Sequence, residues 1–257
     1  MTAVLHVPAF EDNYIWLICS DTGNAAIVDP GDAAPVRAVL ARLGLTPAAI
    51  LCTHHHGDHI GGVDELVADT PVPVYGPARE NIPGVTHPVS EGDVVSLAPL
   101  GLQLQVIDIP GHTAGHIAYH GAGMLFCGDT LFSAGCGRLF EGTAGQMFRS
   151  LQRLAALPPD TRVFCAHEYT EANLRFALAV DPDNAEARQY RDAVIALRRH
   201  DRPSLPSTIA RERSVNPFLR SDQPRVRASV EAFAQRRLAS DCEVFAALRR
   251  WKDGFKG

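Results

Sequence analysis

Thr53-His54-His55-His56-Gly57-Asp58-His59 is the stretch that decides how this sequence folds and what it does, because it places four imidazoles and a carboxylate within seven residues. It directly follows residues 49–52, an apolar run typical of a buried strand. Residues two apart in an extended chain point the same way, so we predict that His54 and His56 converge while His55 faces the other side. The glycine permits a sharp turn, after which the aspartate and the last histidine emerge in a new direction. Imidazole and carboxylate bind zinc, iron and manganese, so the stretch predicts ligands for two adjacent metals rather than a solvated His-rich loop.

The same arrangement, an apolar run followed at once by a histidine or an aspartate, occurs three more times. Residues 104–110 lead into His112, residues 124–127 lead into Asp129, and residues 162–166 lead into His167. Chemistry on α/β sheets gathers at strand ends, where loops vary without disturbing the core. A single histidine of this kind would be explained by packing, whereas four strand ends with the same pattern indicate a functional site.

This set of residues resembles the metallo-β-lactamase-fold hydrolases, whose pattern is T-H-x-H-x-D-H followed by separated His, Asp and His. The resemblance implies these metal ligands: His54, His56 and His112 on one ion, Asp58, His59 and His167 on a second, and Asp129 as a bridge. Asp58 and Asp129 are also the implied catalytic residues, acting with a metal-bound hydroxide. The implied cofactors are two divalent ions per chain, Zn2+ first, with iron or manganese as alternatives.

Length and composition describe an ordinary globular protein. The chain has 257 residues, 46% hydrophobic and 21% charged, which allows one large domain or two unequal ones. No apolar run reaches the roughly 20 residues of a membrane-spanning helix, and no secretory signal is visible at residues 1–6. The six cysteines lack C-x-x-C spacing, and Cys52, Cys127 and Cys165 lie in apolar runs that suit reduced, buried thiols. We therefore expect a cytoplasmic protein with no membrane partner. For Cys136, in the glycine-rich loop after Asp129, packing is favoured over a place at the site.

Charge is distributed unevenly along the chain. Residues 1–167 hold 7 basic and 16 acidic residues, a net of −9, whereas residues 168–257 hold 17 basic and 13 acidic residues, a net of +4. An acid-rich first part suits a metal site, and the basic second part could attract an anionic ligand, although basic helix residues usually form a solvated face. There is no dense basic patch, so no nucleic-acid partner is expected. We expect a monomer.

The order of predicted elements favours an α/β fold in two parts. Short apolar runs predict strands over residues 4–7, 14–19, 25–28, 49–52 and 72–74, and periodicity predicts helices over residues 36–43, 63–68 and 145–157. This order suits the αββα sandwich of the suspected superfamily. After Tyr169 strand signals disappear, and helices are predicted over residues 171–180, 185–200, 226–238 and 243–251, separated by proline-containing breaks. We therefore assign residues 1–167 to a metallo-β-lactamase-like dinuclear metal hydrolase domain and residues 168–257 to a smaller all-α substrate-binding domain.

Three segments narrow the resemblance to the glyoxalase II family, the hydroxyacylglutathione hydrolases. Residues 129–143 resemble the long loop of that family, residues 166–174 resemble its next signature, and residues 249–253 resemble its C-terminal glutathione clamp. The resemblance covers nearly the whole chain. It implies hydrolysis of S-(2-hydroxyacyl)glutathione, typically S-D-lactoylglutathione, to glutathione and D-lactate, the second step of methylglyoxal detoxification. The implied partner is this small-molecule glutathione thioester.

The same resemblance implies glutathione contacts from Arg138, Tyr169, Arg249 and Lys252. Arg249 and Lys252 are three residues apart and share one helix face, where two cations can bind the glycine carboxylate of glutathione. The alternative for this pair is a solvated helix end, and the alternative for Tyr169 is a partly buried aromatic residue at a domain junction. Phe140 replaces a tyrosine that some members use to contact the tripeptide, which leaves its effect on glutathione affinity open.

Three further residues are expected to support the site without binding metal. Asp29 is expected to orient the ligand loop by hydrogen bonding, and directionality makes His55 and His116 supporting residues rather than ligands. The nearest alternative function is a glutathione persulfide dioxygenase, an oxidoreductase with one iron and a similar fold. A helical C-terminal domain and a complete second set of ligands argue against it. A lactamase, an RNA-processing nuclease and a non-catalytic metal-binding module are less favoured.

Overall fold

The computed structural model describes residues 2–256, and these fall into two compact units. The first unit comprises residues 2–108 with Thr113–Gly128. The second comprises Ile109–His112 with residues 129–256. This division by packing does not test the functional boundary predicted after residue 167, which stays a prediction.

The first unit is built around a mixed sheet. Its strands, in spatial and chain order, are β1 (Ala3–Ala9), β2 (Asn13–Cys19), β3 (Asn24–Val28), β4 (Thr46–Leu51), β5 (Val74–Pro77) and β6 (His87–Val89). The first three strands pair antiparallel, and the pairs from β3 to β6 are parallel. Every residue of β2 is buried. That is the pattern of a strand covered on both faces, and it explains why the sequence there is a continuous apolar run.

Helices of the first unit follow the strands that end at the candidate ligands. They are α1 (Ala33–Leu43), α2 (Gly57–Ile60) and α3 (Val63–Asp69). The predicted start of α1 at residue 36 was three residues late, because Asp32 caps the helix through Ala34 N and Pro35 is tolerated in a first turn. Val36 and Leu40 of α1 join alternate residues of the sheet, such as Ile15 and Leu17, in one apolar cluster.

Four strands of a second sheet lie in this unit and pair antiparallel with one another. They are β7 (Val94–Leu97), β8 (Leu102–Asp108), β9 (Ile117–Gly121) and β10 (Met124–Gly128), which pair in the order β10-β9-β8-β7. The buried hydroxyl of Tyr119 on β9 donates to the carbonyl of Cys52, directly after β4, at 3.0 Å. The two sheets of the first unit therefore meet at the edge where the histidine-rich loop begins.

The second unit is mainly helical. It contains a hairpin of β11 (Leu131–Phe132) and β12 (Gly135–Cys136), then α4 (Ala144–Ala155), β13 (Arg162–Cys165), α5 (Thr170–Val180), α6 (Ala185–Arg198), β14 (Ser207–Thr208), α7 (Ile209–Val215), α8 (Pro224–Ala234) and α9 (Asp241–Gly254). Two short 3₁₀ turns complete the elements, one at Ala98–Leu100 in the first unit and one at Pro217–Leu219 here.

The helices predicted after Tyr169 are present, with ends shifted for local reasons. α8 ends at Ala234 rather than residue 238 because Gln235 takes the left-handed conformation that closes the helix. α9 begins at Asp241 rather than residue 243 because the Ser240 side chain caps Glu243 N. α7 and the two-residue β14, which pairs antiparallel with β13, were not predicted, since segments this short carry too little periodicity.

No helix between residues 2 and 256 combines the length and the apolar composition needed to cross a membrane.

Candidate metal centre and substrate pocket

Four candidate ligands cluster in the first unit, where the chain leaves β4. His54 Nε2 lies 3.1 Å from His56 Nδ1, which confirms that these two side chains converge. His55 turns away, and its Nδ1 lies 2.8 Å from Glu80 Oε2. α2 then starts at Gly57 and brings Asp58 and His59 back toward the same point, with His59 Nε2 3.6 Å from Asp58 Oδ2 and the His54 and His59 rings 4.0 Å apart.

A buried carboxylate beneath this cluster holds it in place. Asp29 Oδ1 accepts a hydrogen bond from Thr53 N at 2.8 Å, and its Oδ2 accepts from Thr53 Oγ1 at 2.8 Å. The same Oδ2 lies 3.0 Å from His59 Nδ1. Because a carboxylate accepts, this contact places the proton on Nδ1 and leaves Nε2 with its lone pair for a metal. The expected hydrogen bonds between Asp29 and the ligand loop are therefore present, and their effect on metal binding stays a prediction.

Two neighbours of the cluster were missed by sequence reasoning. Asn13 Nδ2 donates to Asp58 Oδ2 at 3.0 Å. Glu80, whose side chain is buried, pairs with His55 and also accepts from Gly115 N at 3.1 Å and from the hydroxyl of Thr113. Glu80 thus ties the loop after β4 to the segment that starts at Thr113. A single asparagine and a single glutamate in polar loops carry no sequence signal that could have found them.

Backbone packing around the cluster also requires glycine at Gly31. A Cβ there would collide with the carbonyl of Asp58, so the turn after β3 and the start of α2 can approach each other only without a side chain. His116 lies with its ring stacked on His54, 4.5 Å between centroids, and its Nδ1 lies 3.0 Å from Ile117 O. The supporting role expected for His116 stays a prediction.

Three further candidate ligands come together in the second unit. Asp129 Oδ2 lies 3.4 Å from His112 Nε2, and Asp129 Oδ1 lies 3.3 Å from His167 Nε2. His112 Nδ1 lies 2.9 Å from the carbonyl of Arg138, so Nδ1 is the donor and the lone pair of the ring lies on Nε2. All three side chains are buried. One carboxylate therefore presents one oxygen to each of two histidines.

A cavity of about 490 Å³ opens beside these three residues within the same unit. All four residues predicted to contact glutathione line it, together with Asp129 and His112: they are Arg138, Tyr169, Arg249 and Lys252. Cys136 also lines this cavity. The sequence had favoured a packing role for this residue over a place at the site. Burial raises the pKa of the Cys136 thiol to about 11, although the Arg249 charge opposes this. A larger cavity, of about 840 Å³ near Arg213 and Arg220, has none of the predicted residues in its lining.

Two basic residues near the end of α9, Arg249 and Lys252, pack against the protein, Arg249 fully and Lys252 in part. Arg249 is 4% exposed; its Nη1 donates to Cys136 O at 2.8 Å, and its Nη2 donates to Asp253 Oδ1 at 2.9 Å. Lys252 Nζ donates to Ala172 O at 3.3 Å. Burial lowers the pKa of Lys252 to about 8, and the charge of Arg249 acts in the same direction. The alternative of a solvated helix end is therefore wrong for Arg249.

Two aromatic residues stand at the cavity, each against a histidine. Phe140 is 64% exposed and meets the His112 ring edge-on, 5.2 Å between centroids. The Tyr169 ring stacks on His167 at 4.8 Å and 4°. Phe140 therefore lies at the pocket and presents a hydrocarbon surface where a tyrosine would present a hydroxyl.

Comparison with known proteins agrees with this geometry. The family model described as Metallo-beta-lactamase superfamily matches residues 9–167, and the one described as Hydroxyacylglutathione hydrolase C-terminus matches residues 168–255. A hydroxyacylglutathione hydrolase from Nitrosomonas europaea is 54% identical over 100% of this chain and 98% of its own. One from Aliivibrio salmonicida is 56% identical over 99% and 100%. Among solved structures, ETHE1 from Myxococcus xanthus is 25% identical with a TM-score of 0.66, covering 98% of each chain.

Fold, donor types and matches together define a metal-dependent hydrolase of the metallo-β-lactamase superfamily, with an αββα sandwich followed by a small all-α part. Its donors are imidazoles and carboxylates, the set that fits borderline divalent ions, and the superfamily indicates a dinuclear site. Within that class, the chain belongs to the hydroxyacylglutathione hydrolase family, since its relatives match along its full length. The predictions of fold class, family and enzymatic hydrolysis are confirmed.

Asp29 provides a test of how the ligand loop is held. Asp29→Asn replaces one accepting oxygen by a donor, so either Thr53 N loses its acceptor or Thr53 Oγ1 and His59 Nδ1 both lose theirs. We expect metal affinity to fall roughly 10- to 100-fold while the fold is retained, measured as metal content after dialysis against graded chelator. Asp64→Asn, which makes the same charge change on an exposed position of α3, should retain wild-type metal content. Equal retention in both variants would contradict the role of Asp29.

Proposed function

We propose that this hydrolase cleaves S-(2-hydroxyacyl)glutathione, typically S-D-lactoylglutathione, to glutathione and a 2-hydroxy acid, D-lactate for that substrate. The observation that carries the proposal is the cavity of the second unit, which has Arg138, Arg249 and Lys252 in its lining together with His112 and Asp129. Cations suit the carboxylates of a glutathione moiety, and candidate metal ligands suit attack on a carbonyl. The full-length relatives with the hydrolase name support the same reaction.

The proposed ligands follow the types and pairings of the side chains. They are His54, His56 and His112 for one ion, Asp58, His59 and His167 for the other, and Asp129 as the bridge, with Zn2+ proposed and iron or manganese as alternatives. The two oxygens of Asp129, one toward each of two histidines, support the bridge. When bound, two divalent ions supply Lewis acidity and lower the pKa of water.

The chain's own residues supply orientation and proton acceptance. We propose that Asp58, held by the amide of Asn13, accepts a hydrogen bond from the attacking water and so aligns it. Asp129 is the second proposed catalytic carboxylate. The leaving thiolate needs no dedicated general acid, because a thiol has a pKa of about 8.5. The raised pKa of Cys136 keeps that residue as a neutral thiol, so it does not compete as a nucleophile.

Substrate orientation falls to the basic and aromatic side of the cavity. Arg249 and Lys252 are proposed to bind the glycine carboxylate, and Tyr169 and Arg138 to contact the peptide. Arg249 is anchored by Cys136 O and Asp253, so little side-chain entropy is lost when a ligand binds. We propose the hydrolase domain as residues 1–167 and the substrate-binding domain as residues 168–257.

The remaining proposals concern the cell. We propose a cytoplasmic monomer that acts in methylglyoxal detoxification, with neither nucleic acid nor membrane as partner. Cys52, Cys127 and Cys165 are buried, in line with reduced thiols. The dioxygenase alternative uses a single iron and receives no support from the full-length relatives, whose names are those of hydrolases.

Hydrolysis of S-D-lactoylglutathione by the purified protein tests the proposal directly. Free thiol should appear rapidly with the metal-loaded protein, fall to background after metal removal by a chelator, and return when metal is restored. Metal analysis should give two ions per chain. If the protein holds two metals and releases no thiol, the substrate assignment is contradicted. If it oxidises glutathione persulfide with oxygen, the dioxygenase is favoured.

The role of Arg249 in substrate binding is tested with Arg250, its neighbour in sequence, as the control. Arg249→Ala removes a buried guanidinium from the cavity and should raise KM about tenfold with little change in kcat, because a bond to a charged group is lost from ground state and transition state alike. Arg250→Ala removes the same charge from an exposed position of α9. Steady-state kinetics should show a wild-type KM for Arg250→Ala, and an equal rise in both variants would contradict a specific role.

The lowered pKa of Lys252 predicts a pH dependence of substrate binding. The ammonium is charged below about pH 8 and neutral above it, so its attraction for a carboxylate is lost as pH rises through that value. KM should therefore rise several-fold between about pH 7 and about pH 9.5. In Lys252→Arg the guanidinium stays charged, and the rise in KM should be flattened. A flat wild-type profile, or an unchanged rise in the variant, would contradict this assignment.

A further inference from the structure

The hairpin of β11 and β12 is held in an unusual turn. Its two turn residues are Ser133 and Ala134, and Ala134 has a φ of 55°, in the left-handed region where glycine or asparagine is usual. A turn of this kind is costly by itself and needs contacts from outside to persist. Those contacts come from the helical part of the same unit.

Glu212 on α7 supplies the central contact. Its carboxylate is fully buried; Oε2 accepts from Ala134 N at 2.7 Å, and Oε1 accepts from Ser133 Oγ at 3.1 Å. Two further donors lie outside the turn, Ser207 Oγ to Oε1 and Asn216 Nδ2 to Oε2 at 3.1 Å. All four donors are neutral. Burial raises the pKa of Glu212, and the hydrogen bonds act against that rise.

A buried carboxylate that has no cation among these partners contributes little to the stability of the fold. Desolvation of a carboxylate is costly, and an apolar side chain of similar volume is often as stable or more stable. What the carboxylate provides here is direction, because two of its bonds fix one backbone N–H and one hydroxyl of the same turn. Two asparagine side chains also hold the hairpin. Asn173 Nδ2 donates a hydrogen bond to Ser133 O at 3.0 Å, and Asn216 Nδ2 donates one to Gly135 O at 2.9 Å.

The hairpin leads from this turn to the cavity. Cys136, two residues beyond Ala134, lines the cavity and offers its carbonyl to Arg249 Nη1 at 2.8 Å. At the base of the hairpin, Gly137 N donates to Thr130 O at 3.2 Å, and a Cβ on Gly137 would collide with the carbonyl of Asp129. The tip therefore lies at Glu212, and the base lies between a candidate metal ligand and the anchor of a cavity arginine.

We propose that Glu212 is a positioning residue for substrate recognition, which holds the hairpin turn so that the Cys136 carbonyl keeps the Arg249 guanidinium aimed at the terminal carboxylate of the substrate. This inference rests on the proposed function, because it takes the ligand of Arg249 to be the glycine carboxylate of a glutathione thioester. Glu212 touches neither substrate nor metal and acts through the hairpin alone.

A matched pair of substrates separates positioning from a general effect on folding. The pair is S-D-lactoylglutathione and its derivative with the glycine carboxylate converted to a carboxamide. Wild-type enzyme should favour the carboxylate over the carboxamide on the order of tenfold in kcat/KM, which is the effect of one charge-assisted contact. A loss of folded enzyme lowers both values by the same factor and leaves this preference unchanged.

Glu212→Gln puts an amide where two oxygens accept, so one donor of the turn loses its partner. We expect the preference to shrink to about two- to threefold, through KM for the carboxylate substrate, while kcat for the carboxamide is retained. Ser133→Ala removes one bond of the turn to Glu212 and should shift the preference in the same direction if Glu212→Gln does not fold. Ser207→Ala is the control, because it removes a bond to the same carboxylate from outside the hairpin.

The outcomes are distinct. A reduced preference in Glu212→Gln or Ser133→Ala with an unchanged preference in Ser207→Ala supports the positioning role. An unchanged preference in folded Glu212→Gln and Ser133→Ala overturns it, as does a wild-type enzyme that hydrolyses both substrates equally well. A wild-type enzyme that hydrolyses neither substrate overturns the proposed function itself.

Discussion

The rest of the structure depends on buried carboxylates that hold loops in place. Each accepts hydrogen bonds from the backbone and side chains of a loop. Asp29 is the first example: one carboxylate takes the backbone N–H and the hydroxyl of Thr53 and the Nδ1 of His59. A loop with several imidazoles has many possible conformations and tautomers. These bonds select the conformation in which His59 keeps its Nε2 lone pair for a metal.

The second unit contains two further buried carboxylates that contact groups of its loops. Asp129 faces His112 with one oxygen and His167 with the other, and Glu212 holds the turn of the hairpin that follows Asp129. In the first unit Glu80 plays a comparable part between His55 and the segment from Thr113. Burial of a carboxylate is expensive, and Asp29, Glu80 and Glu212 each accept hydrogen bonds from several donors at once. The cost is offset by a rigid arrangement of groups around the chemistry.

The cavity of the second unit shows how electrostatics and packing combine for a small anionic thioester. Arg249 is desolvated but anchored by the Cys136 carbonyl and by Asp253. Lys252 has a lowered pKa, because burial and the charge of Arg249 both disfavour its ammonium. A ligand carboxylate would relieve that repulsion and favour the charged form of Lys252. These two cations, which repel each other in the cavity, are therefore suited to binding an anion.

The sequence by itself determined the class of fold, the ligand types and the family, because these depend on local patterns. Apolar runs ending in histidine or aspartate predict strand ends, and the spacing around His54 predicts which rings converge. The sequence also predicted most helices after Tyr169.

Only the tertiary structure decided which distant residues support the site: Asn13, Glu80 and Glu212 are single polar residues in segments without a pattern. Their roles arise from contacts between residues far apart in the chain, as with Glu212 and Ala134. Burial also depends on packing. The sequence left open that Arg249 lies on a solvated helix end, whereas in the folded protein it is buried and anchored at the cavity. Local periodicity carries no information about such contacts, since they exist only once the elements have packed.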